Sequence, residues 1–312
     1  MKTSECYLPE GSYTALPEVR QALSSPDGLR RAQDEGIILE AVAQRCTAAH
    51  DLLFDFGFAQ GVMPRSCCAL GVAEGDTREI AILSRVGKPT CFAVTEVDET
   101  ADPPAVWLSR TIVQQRAQDF FLDTLTPGDV IPAAVTHLEP FGAFVDIGCG
   151  VASLIGIENL SVSRIFHPSD RLSVGQSIYA AVRSVDPVAR RISLTHRELL
   201  GTWEQNAALF SPGETVRGVV RSIEPYGVFI ELAPNLSGLA EPRGDLAAGT
   251  VVSVYIKSIL PQRMKIKLTV IDVLAPSEAP PLPQYFITEG HIDEWVYTPA
   301  CCDRKYIATV FE

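Results

Sequence analysis

Residues 128–147 read GDVIPAAVTHLEPFGAFVDI, and residues 213–232 read GETVRGVVRSIEPYGVFIEL. Set one above the other at an offset of 85 residues, they align without a gap. A second block repeats as well: RSVDPVARRISL at 183–194 stands over KSILPQRMKIKL at 257–268. The later copy is shorter between the two blocks, so a scaffold is kept while one loop is trimmed. Within the first copy Ala133–Thr136, Ala143–Ile147, Ser177–Val182 and Arg191–Thr195 read as short strands separated by Gly and Pro turns. About five strands in roughly 70 residues, with no second sheet to cover them, predict a small closed barrel rather than a sandwich.

Outside the repeats the period changes. Val113, Ala117, Phe120, Phe121 and Thr124 share one helical face ahead of Pro127-Gly128. Leu199, Leu200, Trp203, Ala207 and Phe210 do the same ahead of Pro212-Gly213. Helical connectors are therefore expected over 111–127 and 198–212. A fainter third copy runs through residues 36–110: GIILEAV at 36–42, LFDFG at 53–57, CFAVTEVD at 91–98 and WLSR at 107–110. The predicted fold class is all-β with connecting helices, as barrels at 36–110 (divergent), 128–197 and 213–273. Residues 1–35 form an N-terminal extension, and 274–312 a Pro-rich linker followed by an aromatic tail.

Bulk properties narrow the function classes. The 312 residues are 46% hydrophobic and 21% charged, ordinary for a folded soluble protein. The net charge of −12 is unevenly placed. Residues 1–125 hold 11 Lys/Arg against 18 Asp/Glu, and the segment from 274 holds 2 against 6, whereas 126–273 holds 13 against 14. A nearly neutral middle can bind nucleic acid through stacking and a few local cations, but it is not a polycationic glove. No apolar run approaches the ~18 residues of a membrane span and no signal-peptide core follows Met1, so a cytoplasmic protein is expected, with no membrane partner. The eight cysteines include no C-x-x-C, and the adjacent pairs Cys67-Cys68 and Cys301-Cys302 do not match common zinc spacings. Reduced, mostly buried cysteines are expected, with no metal and no cofactor.

The run Glu139 to Ile147, followed by IGIENL at 155–160, LSVGQ at 172–176 and Asp186 to Leu194, resembles the ribosomal S1 RNA-binding domain, an OB-type barrel of five strands. The whole chain resembles the multi-domain S1-like proteins of the bacterial small ribosomal subunit. The match is specific over 128–197, good over 213–273 and weak over 36–110. The resemblance implies two strand aromatics flanking a glycine and stacking on bases, assisted by a histidine, an aspartate and an arginine. In the middle barrel these fall on Phe141, Phe144, Asp186 and Arg191, with Gly156 at the histidine site. In the third they fall on Tyr226, Phe229, Leu260 and Lys265, with Glu241 at the histidine site. Arg183, Arg190 and Arg191 lie near that face by strand order and are placed to track phosphates. In the first copy the aromatic sites become His50 and Leu53 and the arginine site about Ala105, so packing or docking is expected there rather than RNA contact.

The chemistry agrees with this assignment. A ring stacked on a base contributes about 1–3 kcal/mol and tolerates any base. A glycine between two aromatics permits a bulge that turns both rings to one face despite their odd spacing. The implied function is binding of single-stranded RNA, mRNA in particular, in translation with the small ribosomal subunit. The competing reading is a protein-docking scaffold on the ribosome or transcription machinery, with the aromatics buried. An enzyme is not expected: there is no G-x-x-x-x-G-K-[ST] loop, no H-E-x-x-H and no acidic constellation for paired metals. Phe144 and Phe229 read equally as half-buried strand residues, leaving Phe141 and Tyr226 to reach RNA. His167, before Pro168, reads as a cap or a packing residue in its loop. The tail carries Tyr285, Phe286, Trp295, Tyr297, Tyr306 and Phe311. It either folds back onto the last barrel or engages an unknown partner.

Overall fold

The computed structural model describes residues 7–101, 104–275, 282–303 and 305–312. Most of the Pro-rich linker, residues 276–281, lies outside them. The chain forms two compact units, 1–124 with 146–152 and 125–145 with 153–312.

In the first unit, helices α1 (Pro17–Ala22) and α2 (Pro26–Glu35) precede the sheet. Ser25 caps α2 by accepting from the Gly28 amide, Pro26 opens it, and Gly36 ends it in the left-handed region at φ +66°. Strands β1 (Leu39–Val42), β2 (Arg45–Cys46), β3 (Leu52–Asp55), β4 (Gln60–Met63), β5 (Pro89–Asp98) and β6 (Ala105–Ser109) follow, with the short helix α3 (Ile80–Leu83) between β4 and β5. They form one open six-stranded sheet in the order β1-β5-β6-β4-β3-β2. The closed barrel expected over 36–110 is thus a half-barrel, and the cause is local. The segment that would be one long first strand breaks at Ala43-Gln44. The Ala43 amide bonds back to Lys88 O while the Gln44 amide bonds to Leu53 O. β1 therefore ladders with β5 and β2 with β3, a handover that the strand Thr215–Glu224 makes at Val219 without a break in the closed third barrel. The unit takes charge into its interior: Glu10 meets Arg110 at 2.7 Å and Arg85 at 2.5 Å, and fully buried Glu40 accepts from the Gly11 and Thr14 amides. α4 (Arg110–Thr124) closes the unit as one continuous helix, with Val113, Ala117 and Phe121 buried.

The second unit contains two closed barrels. One is β7 (Val130–Glu139), β8 (Gly142–Asp146), β9 (Ala152–Gly156), β10 (Ser177–Asp186) and β11 (Arg191–Thr195). The other is β12 (Thr215–Glu224), β13 (Gly227–Ala233), β14 (Leu236–Ala240), β15 (Val251–Leu260) and β16 (Lys265–Val273). Each has the same order, closed by a parallel pairing, β9 with β11 and β14 with β16. A single helix over 198–212 does not form. A 3-10 turn, Arg197–Leu200, stops at Gly201 (φ +83°), and α5 (Trp203–Ala207) restarts behind a reciprocal Thr202–Gln205 cap.

The tail folds back. β17 (Glu294–Val296) and β18 (Ala308–Val310) pair as a small antiparallel ladder, and Trp295 and Tyr297 join the core that Val220, Val228, Ile230 and Val254 make in the third barrel. The Tyr297 hydroxyl donates to Asn235 O at 2.5 Å and its carbonyl accepts from the Trp203 amide at 3.1 Å. Burial pushes that phenol well above its ordinary pKa. The tail also reaches the second barrel: the Val130 amide bonds to Gly290 O, and the Ile292 amide to Gly128 O.

Two buried polar groups join the barrels. Glu231 binds Arg171 of the second barrel at 2.8 Å through Nη1, with a second contact through Nη2, and Arg221 of the third at 2.9 and 3.2 Å. All three are less than a tenth exposed. Asn235, fully buried, accepts from the Val162 amide and donates to Arg197 O and Gly201 O. Among the described residues no helix is long and apolar enough to cross a membrane.

Candidate nucleic-acid interface

The two aromatic pairs are built alike. In each barrel the first strand ends at a glutamate, a Pro-aromatic turn follows, and glycine opens the next strand. Phe141 and Tyr226 occupy those turns and are 55% and 67% exposed. Phe144 and Phe229 follow three residues later within β8 and β13 and are half-buried. The rings of Phe141 and Phe144 meet edge to face, 5.9 Å apart at 88°, and those of Tyr226 and Phe229 at 6.2 Å and 90°. One ring thus supports its neighbour and leaves it a free face.

In the third barrel the glycine between the rings lies in a regular stretch of ladder, Glu224 facing Gly227 and Ser222 facing Phe229, with the register shift beside it at Val220/Ser222. The odd spacing arises because the outer ring sits on the turn. Glycine is needed because a neighbouring strand comes close: a Cβ on Gly142 would lie 2.4 Å from Ile155 O, and one on Gly227 2.6 Å from Ala240 O.

The charged candidates fall at matching register, with Leu260 standing where the second barrel has Asp186. Asp186 faces Arg191 across β10 and β11, and Leu260 faces Lys265 across β15 and β16. Arg191 and Lys265 are exposed. Asp186 is exposed too, but its Oδ1 accepts from the Val188 and Ala189 amides and so holds the hairpin turn that places Arg190 at φ +51°. Arg183 donates to Asn159 Oδ1 at 2.7 Å. His167 caps the turn Pro168–Asp170, accepting from the Ser169 amide.

In the third barrel the structure brings Tyr226, Phe229 and Lys265 to one groove of about 500 Å³. Sequence reasoning missed the other cations that line it, Arg263 and Lys305. Lys305 is far off in sequence and outside the repeat, so no periodic signal marks it. His137 was missed as well: its ring lies 6.4 Å from that of Phe144 at 31°, on a position that the repeat matches to Ser222. In the first unit the equivalents offer no aromatic pair. His50 Nδ1 meets Glu79 at 2.9 Å, Leu53 is half-buried, and Ala105 opens β6.

The seven cysteines described are free; Cys68, Cys91 and Cys149 are buried, and Cys301 is exposed. Burial pushes the Cys68 thiol up to about 12. No group of three or more potential metal ligands occurs among the described residues.

Residues 124–197 match the S1 RNA binding domain family. The chain is 35% identical over 190 residues to small ribosomal subunit protein bS1 of Staphylococcus haemolyticus, covering 55% of this chain and 48% of that one. It is 32% identical over 203 residues to the bS1 homolog of Bacillus subtilis, covering 60% and 52%. With bS1 of Staphylococcus aureus strain COL it shares 33% identity over 276 residues, covering 83% and 68%. The chain therefore spans about half the length of the first two relatives and about two thirds of the third. By that last match, and by the two closed five-stranded barrels, the chain belongs to the small ribosomal subunit protein bS1 family.

Proposed function

We propose that this chain binds single-stranded RNA, mRNA in particular, by stacking bases on Phe141 and Phe144 in the second barrel and on Tyr226 and Phe229 in the third, in translation with the small ribosomal subunit. The observation that carries the reading is the repeated geometry: an exposed ring buttressed edge-on by a half-buried one, at the same turn of two barrels, with a cation on the strand hairpin at matching register. A hydrophobic core has no need of a ring more than half exposed, whereas base stacking requires one. Arg190, Arg191 and Lys265 supply phosphate contacts, so affinity falls as salt rises. The first unit takes a docking or packing role, because its equivalents are a histidine held by Glu79 and a half-buried leucine.

The test is fluorescence anisotropy of a labelled, unstructured RNA of about 20 nucleotides across a salt series, with circular dichroism to confirm folding. Phe141→Ala with Tyr226→Ala should weaken binding by about 1–3 kcal/mol or more. Wild-type protein with no salt-sensitive binding would replace this reading with the docking scaffold.

A further inference from the structure

The groove beside Tyr226 is lined by third-barrel residues, by Val162, Ser163 and Trp203, and by a wall from the tail, which contributes Tyr297, Cys302, Lys305 and Ile307. That wall is fixed at both ends. Trp295 and Tyr297 are buried in the barrel's core, the Tyr297 amide bonds to Ile307 O at 3.0 Å, and the Ile307 amide to Thr298 Oγ1 at 2.8 Å. Lys305 is exposed on this anchored loop and lines the groove together with Arg263 and Lys265. None of these three cations makes an ion pair among the described residues, and no carboxylate is among the described residues lining the groove. In a chain of net charge −12, most of whose acidity lies at its two ends, three cations with no ion-pair partner among the described residues, beside two aromatic rings, suit an anion with an aromatic part. The volume of about 500 Å³ is in the range of roughly 300–1,000 Å³ typical of small-ligand sites, enough for one nucleotide.

We propose that the tail completes a nucleotide subsite on the third barrel: one unpaired nucleotide of bound RNA lies in the groove next to the base stacked on Tyr226, its phosphate held between Arg263 and Lys265 on the barrel and Lys305 on the tail. The proposal rests on the RNA-binding reading and adds to it a contact from outside the repeated domain.

The experiment uses the full chain and a labelled oligouridylate of about 12 nucleotides, with affinity followed from 50 to 200 mM salt. Removing one phosphate contact to a single strand lowers the slope of log affinity against log salt by about 0.7. Lys305→Ala should show that drop with a 3- to 10-fold loss at low salt, and Lys305→Arg should restore both. A second readout is alkylation: RNA should slow modification of Cys302, which lines the groove, and leave exposed Cys301 unchanged. If Tyr226→Ala weakens binding while Lys305→Ala keeps the wild-type slope and Cys302 is unprotected, the tail subsite is wrong and the RNA reading stands. If wild-type protein does not bind the oligouridylate at all, the RNA reading fails and the subsite with it.

Discussion

Replacing Glu231 by Gln probes what holds the two barrels of the second unit together. Glu231 uses both oxygens to bind Arg171 and Arg221 at once, and Arg221 also meets Asp170 at 3.2 Å. The carboxylate and both guanidinium groups are less than a tenth exposed. Glutamine keeps the shape but removes the charge: its one amide oxygen can accept only part of what the carboxylate accepts, its NH2 faces guanidinium donors, and Arg171 otherwise keeps the Ser161 hydroxyl and the Asp170 carbonyl. Breaking a buried pair in this way costs about 3–5 kcal/mol, because the surviving charge stays desolvated. With a urea dependence of roughly 3 kcal/mol per molar, the unfolding midpoint should fall by about 1–2 M. Asp245→Asn is the control, since its partner Arg243 and it are both at the surface, and it should leave the midpoint unchanged. The triple change Arg171→Met, Arg221→Leu and Glu231→Met should recover most of the loss, since apolar replacement of a whole buried cluster is often neutral or stabilising. A Glu231→Gln midpoint within error of wild type would refute the claim that this cluster fastens the barrels.

Three further outcomes follow from the same unit. The His196 ring is buried; its Nδ1–H donates to Leu160 O and its Nε2 accepts from the Tyr285 hydroxyl, so the neutral tautomer is the one the site fits. Burial above all, with Arg171 adding to it and Glu198 opposing, holds its pKa down to about 4 against ~6.5 in an unfolded chain. Between those values the unfolded chain binds a proton that the folded one does not. His196 therefore contributes stability above pH ~6.5 that drains away toward pH 4, up to about 3 kcal/mol. An NMR titration of the ring with its midpoint near 6.5 would contradict this. Gly142→Ala should destabilise by about 1–3 kcal/mol, because the new methyl meets a backbone carbonyl that has nowhere to go. Gly244→Ala, with nothing within 4 Å, should be neutral or slightly stabilising in the same denaturation assay.

The repeat made the two closed barrels legible because strand register follows directly from aligned hairpin ends: the Pro-aromatic turn and the glycine recur at one offset, and the ladder obeys it. The break at Ala43-Gln44 was not legible, since neither residue disfavours a strand; it depends on which neighbours the two amides find. Gly201 and the Thr202–Gln205 cap did signal the interrupted connector, but an apolar stripe spanning both halves concealed it. The site divides the same way. Phe141 and Tyr226 stand in the repeat, whereas Lys305 joins the groove only through the burial of Trp295 and Tyr297. Arg171 and Glu231 are 60 residues apart, and nothing in either segment names the other.

Photo-cross-linking shows whether RNA lies on the two exposed aromatic turns. An unstructured RNA carrying 4-thiouridine, irradiated with the full chain and mapped by mass spectrometry, should label the peptides holding Phe141 and Tyr226. Phe141→Ala and Tyr226→Ala should each reduce labelling in their own barrel. Cross-links confined to residues 36–110, or unaffected by either substitution, would place RNA elsewhere than on Phe141 and Tyr226.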